Sequence, residues 1–166
     1  MWSEVCGTSF YHVGGNSEGG KFIGEYEGKP VYEGDVLVEA IPPFEIFPDS
    51  LCAEDVSKCG SVIRARAVRV EDVESRYGVT LNGSDVGVFT LTATNDSFGE
   101  GSNVLHDSVI LIERFERPSE EFPNGRYIAV AENKILHYGE LPLINGVEGR
   151  REIPFIQQNS IDKAGS

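Results

Sequence analysis

Three histidines and three cysteines carry most of the reactive chemistry in this chain, and their spacing leaves them little to do. His12, His106 and His137 have no carboxylate or cysteine at the spacing of a metal site, so an ordinary surface or core role is the reading for each. Cys52 and Cys59 lie seven positions apart rather than three, and Cys6 is remote from both. Nothing beside Cys52 and Cys59 gives a cause for a lowered thiol pKa, so these two read as inert, buried thiols. Gly99-Glu100-Gly101-Ser102 lacks the lysine and the strand-to-helix setting of a phosphate loop. Asp96 with Glu100 lacks the alternating oxygen ligands of a calcium loop. Asn82 and Asn95 head glycosylation sequons, a pattern common by chance, and no serine sits in a nucleophile elbow. No catalytic, cofactor-binding or metal-binding residue is therefore assigned, no cofactor is implied, and the chain reads as a non-enzyme.

One local basic feature stands out: Arg64, Arg66 and Arg69 in the stretch 61–69. The plainer reading is a solvated face pairing with Glu71, Asp72 and Glu74, where exposed pairs contribute little. The sharper one is a subunit contact with the acidic 1–60 region of a neighbour, a heterologous arrangement that closes into a ring when its rotation permits.

The elements that must position these residues belong to one domain. At 166 residues with 40% hydrophobic content, the chain is long enough for one real core and too short for two large ones. Its net charge of -13 is concentrated: residues 1–60 hold eleven acids against three bases, and 82–107 hold four acids and no base. A surface built to grip phosphates should be basic somewhere contiguous, so this balance argues against nucleic-acid binding and suits solubility or a basic protein partner. No apolar run has the length of a secretory or membrane-spanning segment, and the odd cysteine count fits no disulfide framework. A reducing, intracellular setting is expected.

The most strongly patterned stretch is 108–156. Val109, Leu111 and Glu113 alternate with Ile110, Ile112 and Arg114, predicting a strand apolar on both faces at its start. Strands at Arg126–Ala131 and Lys134–Glu140 follow, joined through Pro123-Asn124-Gly125 and Glu132-Asn133, and the set reads as a β-meander. Upstream, 1–6 reads as the tail of a helix stopped by Gly7, which implies a domain cut from something longer. Strands are predicted at 8–13, 21–26, 30–32, 35–40 and 61–69, with Gly14–Gly20 a mobile hairpin tip. The prolines of 41–49 forbid a helix and disfavour a central strand, leaving Phe44, Ile46 and Phe47 to clamp an irregular crossing onto the core. Asp49 or Ser50 can cap a short helix through Lys58, and Val70–Tyr77 forms another, with acids first, Arg76 last and Gly78 as its stop. Residues 82–107 read largely as a long surface loop or insertion, with only 86–91 strand-like.

The fold class that follows is α+β: a β-rich single domain over 1–166, of mostly antiparallel twisted strands with two or three short helices. The expected core comprises Trp2, Phe10, Val36, Val38, Phe44, Ile46, Ile63, Val73, Tyr77, Val109, Leu111, Ile128, Val130, Ile135, Leu136 and Ile153.

Several stretches, taken together and in order, resemble the middle domain of the portal proteins of tailed bacteriophages and prophages. They are 2–11, Gly34–Glu39 leading into Pro43–Asp49, Ala65–Val68, Val73–Gly78, Val109–Pro118, Pro123–Arg126, Tyr138–Pro142 and Pro154–Gln157. They cover about two thirds of the chain in family order. Residues 82–107 fit no part of the pattern, and the long helices that flank this region in portal proteins are absent.

The resemblance implies a structural protein of the virion, present in the bacterial host cytoplasm during assembly. Family members form a dodecameric ring, the head-to-tail connector, at one capsid vertex, through which DNA is packaged and ejected and to which the tail is joined. The present chain corresponds to the outer body, or wing, with subunit and capsid or scaffold contacts. Terminase and tail or adaptor proteins would meet parts outside it, DNA would be passing cargo, and no membrane is involved. An acidic surface suits that role, because DNA must slide past rather than stick. The rivals are another phage neck or tail adaptor, and a ligand-binding or hydrolytic domain whose site is assembled across the fold. A deep pocket of convergent polar groups with perturbed pKa values would favour the last.

Overall fold

Strands dominate because β-branched and aromatic residues recur in short runs broken by glycine, asparagine and proline. A computed structural model describes residues 3, 6–49, 55–88, 104–144 and 149–159. In chain order the strands are β1 (Thr8–Asn16), β2 (Phe22–Tyr26), β3 (Lys29–Tyr32), β4 (Asp35–Ile41), β5 (Ile46–Pro48) and β6 (Ser61–Arg69). After helix α1 (Val70–Tyr77) come β7 (Ser84–Gly87), β8 (Val104–Glu116), β9 (Arg126–Ala131), β10 (Lys134–Gly139), β11 (Leu143–Ile144), β12 (Arg151–Glu152) and β13 (Phe155–Asn159). Single 3-10 turns occupy Pro43–Glu45 and Val56–Lys58. The architecture is a small, antiparallel, β-rich α+β fold. Among the described residues no helix is long and apolar enough to cross a membrane.

Two sheets organise it. The larger runs β10-β9-β8-β6-β5, with β7 on β8; the smaller runs β13-β1-β4. Ser108 pairs with both Arg69 of β6 and Ser84 of β7, so β7 flanks β8 on the side opposite β6, in line with β9. The meander β8-β9-β10 follows the sequence reading. Its second turn places Glu132 and Asn133 at φ 47° and 62°, the two left-handed residues that keep a tight hairpin in step with strand twist. Helix α1 buries Val70 and Val73, and its Gly78 adopts φ 67° while its N–H donates to the Glu74 carbonyl at 2.8 Å.

The sheets meet face to face through Phe10, Ile41 and Phe155 on one side and Val62, Leu111, Phe115 and Ala129 on the other. Phe115 and Phe155 cross edge to face at 5.0 Å. A second cluster of Val70, Val73, Leu81, Val109 and Ala131 seats the helix, and Val68, Tyr77 and Leu136 pack against both.

Several sequence-based expectations are corrected. Gly14 and Gly15 are not a hairpin tip but continue β1 opposite Leu37 and Val36, where backbone pairing needs no side chain. Val36 and Val38 are exposed, because they alternate with Glu39 and Ile41 and lie on the face of β4 turned away from the larger sheet; Phe44 and Ile135 are exposed too. Phe47 points outward from the edge strand β5, leaving Ile46 as the buried clamp. Ile63, Ile128 and Val130 are only partly buried, because β6 and β9 turn Val62, Tyr127 and Ala129 inward instead. The turn Val56–Lys58 is capped by Asp55, whose carboxylate accepts from Ser57 N–H, while Asp49 accepts from the N–H groups of Gly60 and Ser61. The rest of the predicted 50–58 helix, Trp2 and 89–103 lie outside the described residues. The flanks of the expected 82–107 loop are strands, β7 and the first residues of β8.

Candidate functional site

Strand β6 alternates Val62, Arg64, Arg66 and Val68, and the packing of Val62 into the core carries both arginines inward. Arg64 is consequently 4% exposed. Opposite it in register on β8 is Glu113, equally buried on the face of Val109, Leu111 and Phe115. From the smaller sheet, β1 and β4 bring His12 and Glu39 side by side, and the turn Pro43–Glu45 adds Glu45.

Arg64 grips Glu39 with both terminal nitrogens at 3.1 Å and also donates to Glu45 at 3.4 Å. Arg66 lies 3.9 Å from Glu39 and 3.7 Å from Glu113, and its Nε is buried without a hydrogen-bond acceptor among the described residues. Tyr127 donates to Glu113 at 2.7 Å, and its oxygen lies 2.9 Å from that of Tyr77. Each charge is thus compensated by a neighbour, which is the condition for burying it at all.

The titration behaviour follows this geometry. Burial pushes the Glu39 carboxyl up, but the hydrogen bonds and charge of Arg64 outweigh it and hold the group below the usual carboxylate range. For Glu45 burial prevails over the same guanidinium, and its pKa rises. Burial, reinforced by Arg64, depresses His12 and keeps the imidazole neutral at pH 7. Burial and then the Glu113 charge raise Tyr127, so its hydroxyl remains a proton donor.

A cleft of about 550 Å3 opens beside this network, walled by Val13, Leu37 and Val38 of the smaller sheet and by Arg66, Glu113 and Phe115 of the larger. Its size is within the range of small-molecule sites. Chemically it offers an apolar slot, one incompletely used guanidinium and a half-exposed carboxylate. Arg76 of α1 and Pro142 complete the rim.

The residues singled out in the sequence scatter. His106 pairs with Asp85 at 2.9 Å on the exposed β7–β8 ribbon, and His137 lies 5.1 Å from the Tyr127 ring. Only His12 reaches the cleft. Cys59 is buried and Cys6 exposed; Cys52, Asn95, Asp96 and 99–102 lie outside the described residues. No group of three metal-ligating side chains forms among the described residues. The arginines are corrected most: Arg64 and Arg66 turn inward and do not form a solvated face, and of the three only Arg69 pairs with Glu71, at 3.2 Å. The site also contains Glu39, Glu45, Glu113 and Tyr127, none of them among the chemical candidates above. A signal existed: Glu113 interrupts the apolar face of β8, and Arg64 and Arg66 that of β6, and charges at core-facing strand positions imply buried partners.

No protein-family model matches the chain, and no curated protein does.

Proposed function

We propose that this chain is the wing of a phage or prophage portal ring, a structural body that makes subunit and capsid contacts while DNA passes elsewhere. The observation that carries the reading is how the portal-like segments, scattered along the sequence, interlock in space. Ala65–Val68 pairs strand to strand with Val109–Ile112, and Phe10 and Tyr11 pair with Gln157 and Ile156. Glu116 of the Val109–Pro118 segment pairs in register with Arg126 of the Pro123–Arg126 segment, and their side chains form an ion pair. In Pro123-Asn124-Gly125, Asn124 donates to Glu140 at 2.8 Å and Gly125 packs on Leu141, both from the Tyr138–Pro142 segment. These side chains brace the frame. Residues whose task is bracing are what a load-transmitting ring component requires.

The test is negative-stain microscopy of the full-length parent protein with mass measurement in solution, with and without capsid and scaffold proteins. A closed ring with a central channel is expected. A monomer that also fails to assemble with those partners would overturn the proposal.

The cleft favours a second reading, a ligand-binding domain. Binding of a small apolar carboxylate, detected by calorimetry and abolished by Arg66→Gln, would support it.

A further inference from the structure

Beyond the cleft, two apolar surfaces of the described chain have no partner. The first is an arm. β1 and β4 continue past Asn16 and Asp35 into the β2–β3 ribbon, closed by Glu27-Gly28 at φ 51° and 76°. Neither edge of this ribbon pairs with another strand among the described residues. A two-stranded hairpin is marginal in water by itself. This one nevertheless displays Phe22, Ile23 and Tyr26, all more than 60% exposed.

The second surface is the outward face of the larger sheet. Because β6, β8 and β9 turn Arg64, Leu111 and Ala129 inward, their alternate residues face away from the core. Phe47, Ile110, Ile112, Ile135 and Tyr138 are exposed on three strands of this face, with Ile63 and Val130 on the strands between them. A monomer rarely leaves so many large apolar groups together.

Charge decides how the two can meet. Between Ser17 and Asp35 the arm carries five acids, Glu18, Glu25, Glu27, Glu33 and Asp35, against Lys21 and Lys29. The sheet face, in a chain of net charge -13, carries Arg114 and Arg126 against Glu116, with Arg69 at its edge paired to Glu71. Arm against arm would set like charges together, and so would face against face. Arm against face sets unlike charges together over apolar contact. We infer that the β2–β3 arm of one copy docks on the outward face of the larger sheet of the next, a head-to-tail contact. Repeated in one direction, such a contact generates rings or open filaments; exchanged reciprocally, it closes a two-fold dimer. The partner is a second copy of this chain, and the contact deepens the ring reading above, on which it rests.

The experiment places the photo-crosslinker benzoylphenylalanine at Ile23 in the whole chain. Isotope-labelled and unlabelled protein are mixed so that links between copies can be told from links within one. Links between copies that map to the peptides holding Ile110 and Ile112 are expected. Arg114→Glu should lower their yield about tenfold, the effect of one interfacial charge pair, and Glu25→Lys with Glu27→Lys should restore it. An unchanged melting temperature confirms that the variants fold. Links confined within one chain, links to any other surface, or none at millimolar protein would overturn the contact. Arm-to-face links in open filaments would keep the contact and remove the ring; closed rings whose links avoid the arm would do the reverse.

Discussion

Arg64 on β6 holds Glu39 on β4 through two parallel hydrogen bonds of 3.1 Å, and so fastens the larger sheet to the smaller one. The guanidinium is almost wholly buried while Glu39 is about half exposed, so the bond seals the edge of the core rather than its centre. Replacement by methionine should leave Glu39 and Glu45 without their cation and cost about 3 kcal/mol, as for other broken buried pairs. Adding Glu39→Gln and Glu45→Gln should recover part of the loss. Urea unfolding of the three variants measures both.

Two glycines share a backbone conformation but not an environment. Gly78 and Gly125 both have φ 67°, yet a Cβ on Gly78 would meet nothing within 4 Å. One on Gly125 would lie 2.5 Å from both the Glu116 carbonyl oxygen and Leu141 Cδ1. Gly78→Ala should therefore cost about 1 kcal/mol, the left-handed penalty alone. Gly125→Ala adds overpacking and should cost roughly 3 kcal/mol. Thermal melting of the pair separates the two contributions.

Stability should fall as pH drops below 6.5, the ordinary histidine value, because burial lowers the His12 pKa. In that window the unfolded chain takes up a proton that the folded chain refuses, until the lowered folded pKa is reached. Glu45, raised by burial, acts with opposite sign just above its ordinary 4.5. Glu39, held low, withdraws its contribution only below that value, as pH falls through its folded pKa. His12→Gln should flatten the dependence between pH 7 and the carboxylate range while leaving stability above pH 7.5 with its slope unchanged. Urea midpoints across a pH series test this.

The hydroxyl of Tyr127 bridges Glu113 and Tyr77, so Tyr127→Phe should cost about 1–2 kcal/mol by leaving the buried carboxylate short of a donor. Tyr77→Phe, which leaves the bond to Glu113 in place, should cost less. Equilibrium unfolding of both variants gives the order.

Local pattern by itself determined the elements whose signals lie within a few residues of one another. Strand β6 and helix α1 with its glycine stop were legible residue for residue, and the meander was legible to within a residue or two except at the start of β8, whose first residues read as loop. In each, period, cap and turn residues agree. What only the tertiary structure decided is which face of a strand goes in. In β8, Val109 and Leu111 are no more apolar than Ile110 and Ile112. In β9 the smaller Ala129 and Ala131 are buried while Ile128 and Val130 face out. Pairing register and the partner sheet settle such a choice, since a strand apolar on both sides carries no preference of its own. The candidate site was hidden for the same reason. Arg64 reads as solvated until β6 is turned to bury Val62, and Glu39 and Glu45 reach it across twenty residues or so of intervening chain. Long-range proximity of that kind leaves no local mark on a sequence, because it is set by how whole sheets pack.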